Sequence, residues 1–219
     1  EREALVARAN AGPAVHAPHV DRVYHFSEDG TLRRFAPHVP PTNPSHPAAV
    51  WAIDEAHAPL YWFPRNCPRI SVWARDAAQQ ATLTEVFETE ATRVCAAETS
   101  WMERVRDARL YRYTFDAAPF EPWREADGQY IAADAVYADS VDEIDDVFAL
   151  FAGAGTVELR FTPRLGAMID RILQSGLQFG FVRIRDAKRE RSRSRLSRGA
   201  SSACSFDRVG SSVAGVSEG

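Results

Sequence analysis

The chain has 219 residues, 45% of them apolar and 26% charged, with 26 basic against 30 acidic side chains and a formal net charge of -4. These are the proportions of a globular domain long enough to bury a core, and they exclude a collagen-like or low-complexity chain. No apolar run approaches the roughly 18–20 residues of a membrane-spanning helix, and Cys67, Cys95 and Cys204 lack the spacing of a zinc site or a disulfide framework, so neither a membrane nor a metal is expected.

Residues 1–20 are Ala-rich without sustained periodicity and are expected to form a disordered leader. Arg8 and Asn10 interrupt its apolar stretch, which therefore lacks a signal-peptide core, and a cytoplasmic protein is expected. Asp21 to Phe26 reads as a strand, with His25 and Ser27 where it leaves the sheet. His25 reads either as a ligand-facing group or as a core histidine satisfied by backbone. A proline-rich surface loop follows, then a strand over Val50–Ile53, and Asp54 is placed to cap a helix over Glu55–Phe63. Trp51 and Tyr61 lie ten residues apart, on that strand and that helix, where two aromatic faces can meet in one cleft or simply fill core. His57 reads as a base or as a partner of Asp54.

Arg65 and Arg69 flank a Pro-bounded loop and offer two guanidinium groups for a pyrophosphate or for surface carboxylates. Cys67 between them has no activating base and reads as structural. A strand is expected over Arg69–Trp73, a helix over Thr82–Arg93 and a short helix after the Ser100/Glu103 capping box. Residues 110–115 alternate as a half-buried strand does, and Gln129–Val136 is a further strand candidate. Ser140 and Glu143 form a capping box ahead of a helix over Val141–Ala152, with Gly153 as its stop. Then come a strand over Thr156–Phe161, a helix from Pro163 ending before Gly176, and a strand over Phe179–Ile184. The elements give an α+β domain over residues 21–187, a single domain with a mixed, mainly antiparallel sheet and short helices.

Residues 188–219 are a Ser/Arg-rich tract expected to be a disordered tail or, alternatively, a basic arm. From Arg183 onward nine basic residues face four acidic ones, which leaves the body before it at -9. An acidic body is a poor platform for nucleic acid, so none is expected as a partner. Neither a Gly-rich phosphate loop nor an HExxH box nor a GxSxG elbow is present.

TyrHisPheSer at 24–27, followed by an aromatic-bearing strand and an Ala-x-x-Tyr step at 58–61, resembles the first two motifs of the ADP-ribosyltransferase fold. The resemblance implies that His25 and Ser27 hold a ribose of NAD and that Trp51 and Tyr61 clamp the nicotinamide; the loop carrying Arg65 is expected to lie beside that clamp and to complete the cleft. The implied reaction cleaves the nicotinamide glycosidic bond and passes ADP-ribose to an acceptor that the sequence does not name. In the third motif the family carries a glutamate; here Gln129 stands in its place, able to hydrogen-bond a ribose but bringing no charge to an oxocarbenium-like transition state. Glu158 is the nearest alternative carboxylate. The resemblance therefore leaves open a non-catalytic nucleotide-binding or interaction module of the same fold, and an RNA-end enzyme, which the acidic body disfavours. Over Val23 to about Ala187 the chain also resembles a group of uncharacterised bacterial proteins sharing the phrases YHFSE and FPRxCPRI.

Overall fold

The structure is a computed structural model that describes residues 20–41 and 44–188. The expected leader and tail, apart from residues 20 and 188, lie outside the described residues. The strands are β1 (Arg22–Ser27), β2 (Arg34–Phe35), β3 (Val50–Ile53), β4 (Arg69–Trp73), β5 (Arg93–Glu98), β6 (Leu110–Asp116), β7 (Glu121–Pro122), β8 (Gln129–Ala132), β9 (Val136–Tyr137), β10 (Ser140–Ile144), β11 (Val157–Thr162) and β12 (Gln178–Val182). The helices are α1 (Ala77–Phe87), α2 (Met102–Arg106), α3 (Val147–Gly153) and α4 (Gly166–Ser175). None of them is long and apolar enough to cross a membrane.

Three sheets result. The first runs β10-β6-β1-β3-β8-β7, antiparallel throughout; the second runs β11-β5-β4-β12, with β11 parallel to β5; β2 and β9 form a two-stranded ribbon. The architecture is α+β with mainly antiparallel pairing and short helices, as composition and pattern predict.

Burial on alternate positions sets the layers. Val23, Val50, Ala52, Tyr113, Phe115, Tyr130 and Ala132 cover one face of the first sheet, and Phe35 and Val136 of the ribbon close over them. One face of the second sheet takes Ile70, Val72, Val94, Ala96 and Phe179 onto Leu83 and Phe87 of α1 and Ile172 of α4. A third cluster joins Cys95 and Ala97 of β5 to Phe63, Val105, Val147 and Phe151. β5 is buried along all six residues, because α1 and α4 pack on one face, and α2, α3 and the chain around residues 63–67 on the other.

Several expected elements change. The helix over 82–93 lies over Ala77–Phe87, capped by the Asp76 carboxylate, which accepts from Gln79 N at 2.9 Å, and Arg93 instead starts β5. The Ser140/Glu143 pattern is not a capping box. Ser140–Ile144 completes the edge of the first sheet on β6, where Asp142 meets Arg112 and Glu143 meets Arg109, each at 3.0 Å. The real cap is Asp146, accepting from Ala149 N at 2.8 Å. Asp54 does accept from the backbone N–H of His57 at 2.8 Å, but what it caps is only a 3-10 turn over Ala58–Tyr61, cut short around Pro59.

Candidate functional site

β1, β3 and β8 are neighbours in the first sheet, so the segments carrying His25, Trp51 and Gln129 lie side by side although they are spread over a hundred residues. The β1–β3 ladder holds one register pair, Tyr24 with Ile53. Where it stops, the His25 ring takes over: its Nδ1 donates to the Trp51 carbonyl at 3.0 Å. A carbonyl only accepts, so Nδ1 carries the proton in the neutral ring and Nε2 the lone pair. The ring lies edge-on to Phe35, with centroids 5.3 Å apart, on the face of the sheet that the ribbon covers. Ser27 Oγ accepts from Asp29 N at 3.1 Å, and Arg65, itself exposed, donates its backbone N–H to Glu28 at 3.2 Å. His25, Ser27 and Arg65 thus gather at the mouth of β1.

Burial holds the His25 imidazole below its ordinary value of 6.5, opposed by the bond to Trp51 and aided by the nearby His38 and Arg65 charges. The unfolded chain therefore takes up a proton first on acidification. This contribution to stability is intact above pH 6.5 and is lost as pH falls from there toward the lowered folded value. His25→Gln is expected to lose that increment of pH dependence, read as the difference between wild-type and variant denaturation midpoints across the window.

On the opposite face of the sheet, Ile53 and Gln129 form a register pair, and Gln129 Nε2 donates to the Tyr61 hydroxyl at 3.2 Å. Burial raises the Tyr61 phenol above its ordinary value, with the Arg69 charge acting against it. These two residues line a cavity of about 120 Å³ between the first and second sheets. Trp73, Arg93 and residues of β12 form its far wall, and His57 also lines it.

His57 is tightly fixed. Its Nδ1 is 2.7 Å from Asp54 Oδ1, its ring meets Trp73 edge-on with centroids 5.0 Å apart, and a methyl built on Gly128 would fall 2.2 Å from the same Nδ1. Asp54 is 7% exposed and reaches back to this clamp through its own N–H, which donates to the Gly128 carbonyl at 2.9 Å.

Trp51 and Glu158 lie elsewhere. The Trp51 ring stacks on His46 and meets Trp123 edge-on, with centroids 5.2 and 5.4 Å away, and no ring contact joins it to Tyr61 among the described residues. Its carbonyl serves His25 while its ring sits on the other face. Glu158, on β11, is held by Arg160 at 2.6 Å and by the Thr89 hydroxyl; these bonds, that of Arg160 foremost, lower its carboxyl below the ordinary value.

Arg93 and Trp73 are among the cavity residues that escaped the sequence reading. Arg93 was expected to end a helix, and Trp73 to end a strand without further role. The available signal was a lone arginine opening the apolar run ValCysAlaAla at 94–97, since a charge at the mouth of a buried strand needs something to face.

Among the described residues no group of three or more His, Cys, Asp or Glu side chains is placed to hold a metal ion. No curated protein and no solved structure matches the chain. A family model does, over residues 24–187, and the chain belongs to that family, a family of unknown function (DUF6886).

Proposed function

We propose that the domain binds NAD or a related nucleotide in the manner of an ADP-ribosyltransferase, with Tyr61 and Gln129 at the nicotinamide end; His25 and Ser27 lie on the other face of the sheet and meet the ligand only where it passes the end of β1, beside Arg65. The observation that carries this reading is the Tyr61–Gln129 hydrogen bond at 3.2 Å. It joins residues from two separate motif segments across 68 positions at the wall of one cavity. The His25–Trp51 bond links the first segment to the second on the other face of the sheet.

A second reading, binding without transfer, is favoured by the chemistry of the third segment. Gln129 is neutral, and Glu158 is already neutralised by Arg160 on the second sheet, so no free carboxylate is supplied to favour an oxocarbenium-like transition state.

Calorimetric titration of NAD into the full chain, with free nicotinamide assayed in the same samples, tests both. Saturable binding weakened about tenfold or more in Tyr61→Ala and His25→Ala is the expected result, a loss in keeping with one stacked ring or one buried hydrogen bond. Release of nicotinamide selects transfer, and binding without release selects the non-catalytic module. A folded wild type that gives no heat with millimolar NAD refutes both.

A further inference from the structure

The cavity between the sheets contains two polar groups that the nucleotide reading leaves unused. The first is Arg93. It is 6% exposed, its guanidinium lies 4.3 Å over the Trp73 ring, and its Nη1 donates to Ser71 Oγ at 2.9 Å. Its Nε and Nη2 reach no acceptor among the described residues, and no carboxylate stands within ion-pair distance. A buried cation of this kind is costly unless something pairs with it; the Asp54 charge acts on it from beyond ion-pair distance, and the residue borders the cavity.

The second is His57. Asp54 can only accept at Oδ1, so the Nδ1 proton belongs to that bond. In the neutral ring, Nε2 is left as a lone pair, and Gly128 and Trp73 on either side prevent the ring from turning away. The negative charges nearby are already engaged. Asp54 holds two N–H groups of His57, and Asp127 at the rim pairs with Arg75 at 2.9 Å.

Size narrows the ligand. A volume of about 120 Å³ is below the roughly 300–1,000 Å³ of sites for drug-sized molecules. The cavity therefore takes one small group at a time, so an oxyanion there and the nicotinamide end of a nucleotide exclude one another.

We propose that this cavity is a binding site for a phosphate-sized oxyanion bearing a hydroxyl, as hydrogen phosphate does, with Arg93 donating to the anionic oxygens and His57 Nε2 accepting from the hydroxyl. Asp54 is a positioning residue that fixes the imidazole proton on the far side. The site does not require NAD: a domain indifferent to that nucleotide would still show it.

The test is a titration of the full chain with inorganic phosphate at constant ionic strength, following the Trp73 indole N–H by NMR, with Trp73→Phe to assign the signal. A saturable shift is expected. Arg93→Lys keeps the charge but loses the fork and the stack and is expected to weaken binding about tenfold. Arg106→Gln, at an exposed arginine paired with Asp107, leaves binding unchanged. Sulfate, an oxyanion of similar size without a hydroxyl at neutral pH, is expected to bind more weakly than phosphate, and His57→Gln to erase that preference. No saturable shift in the folded wild type overturns the site, as does an affinity unaltered by Arg93→Lys. Equal binding of sulfate overturns the role of His57. Should Arg93→Lys not fold, the Arg93 Nε–H resonance of the wild type decides, moving with phosphate if the site is right and staying fixed if it is wrong.

Discussion

Replacement of Arg69 by methionine is expected to cost on the order of 3–5 kcal/mol of stability, enough to consume much of what a domain of this size has. Arg69 is 4% exposed and pairs with no carboxylate within ion-pair distance among the described residues. Its Nε donates to the Leu60 carbonyl at 2.6 Å, and its Nη1 to the carbonyls of Cys67 at 3.0 Å and Pro64 at 3.4 Å. One guanidinium thus serves one carbonyl of the 3-10 turn and two of the irregular stretch between it and β4, with the rings of Tyr61 and Phe63 each 5.7 Å from it. Burial lowers its pKa to about 10, which still leaves it charged at neutral pH. Methionine fills similar volume but leaves those acceptors buried and unmade, each at about 1–3 kcal/mol. Chemical denaturation reads the result as a midpoint shift at unchanged slope. A loss below about 1 kcal/mol would mean that the carbonyls find water instead.

The second large effect belongs to Gly128→Ala, expected to destabilise by about 2–4 kcal/mol, from the left-handed backbone and the clash together. Gly128 has φ +75°, and its added methyl would lie 2.2 Å from His57 Nδ1 and 2.3 Å from Cγ. The ring cannot retreat without leaving Asp54 and pressing on Trp73. Gly153→Ala is the control: nothing lies within 4 Å of the added methyl, and this glycine ends α3, so the change is expected to be neutral or stabilising by up to about 1 kcal/mol. Thermal or chemical denaturation of the two variants side by side checks the contrast.

How much of this was legible depended on whether a residue's burial shows in its neighbours. Leu110 to Asp116 alternates because one face of β6 meets the ribbon and the other does not, and Tyr113 and Phe115 fall on the core side as the pattern predicts. Gly176, at φ +72°, closes α4 where a glycine stop was read. β5 gave no period because both of its faces are covered, so Arg93 was placed at the end of the neighbouring helix and residues 94–97 in no element. Ser140 and Glu143 misled because a serine three residues before a glutamate serves a strand edge as well as a helix cap; only the open ladder of β6 decides between them. In the cavity, Tyr61 and Gln129 could be picked out one by one, but not their hydrogen bond. Arg93 and Trp73 come from a different sheet, and a contact between sheets leaves no trace in local spacing.

The margins of the first sheet bear on behaviour at high concentration. Its outer strands are β10 and β7, each of which presents unpaired backbone groups that could recruit another copy of the chain. β10 is exposed along Ser140–Glu143 and carries Asp142 and Glu143, while β7 is two residues long and one of them is Pro122, which has no N–H to offer. Charge guards one border and proline the other, so this sheet ends at six strands and resists edge-to-edge aggregation.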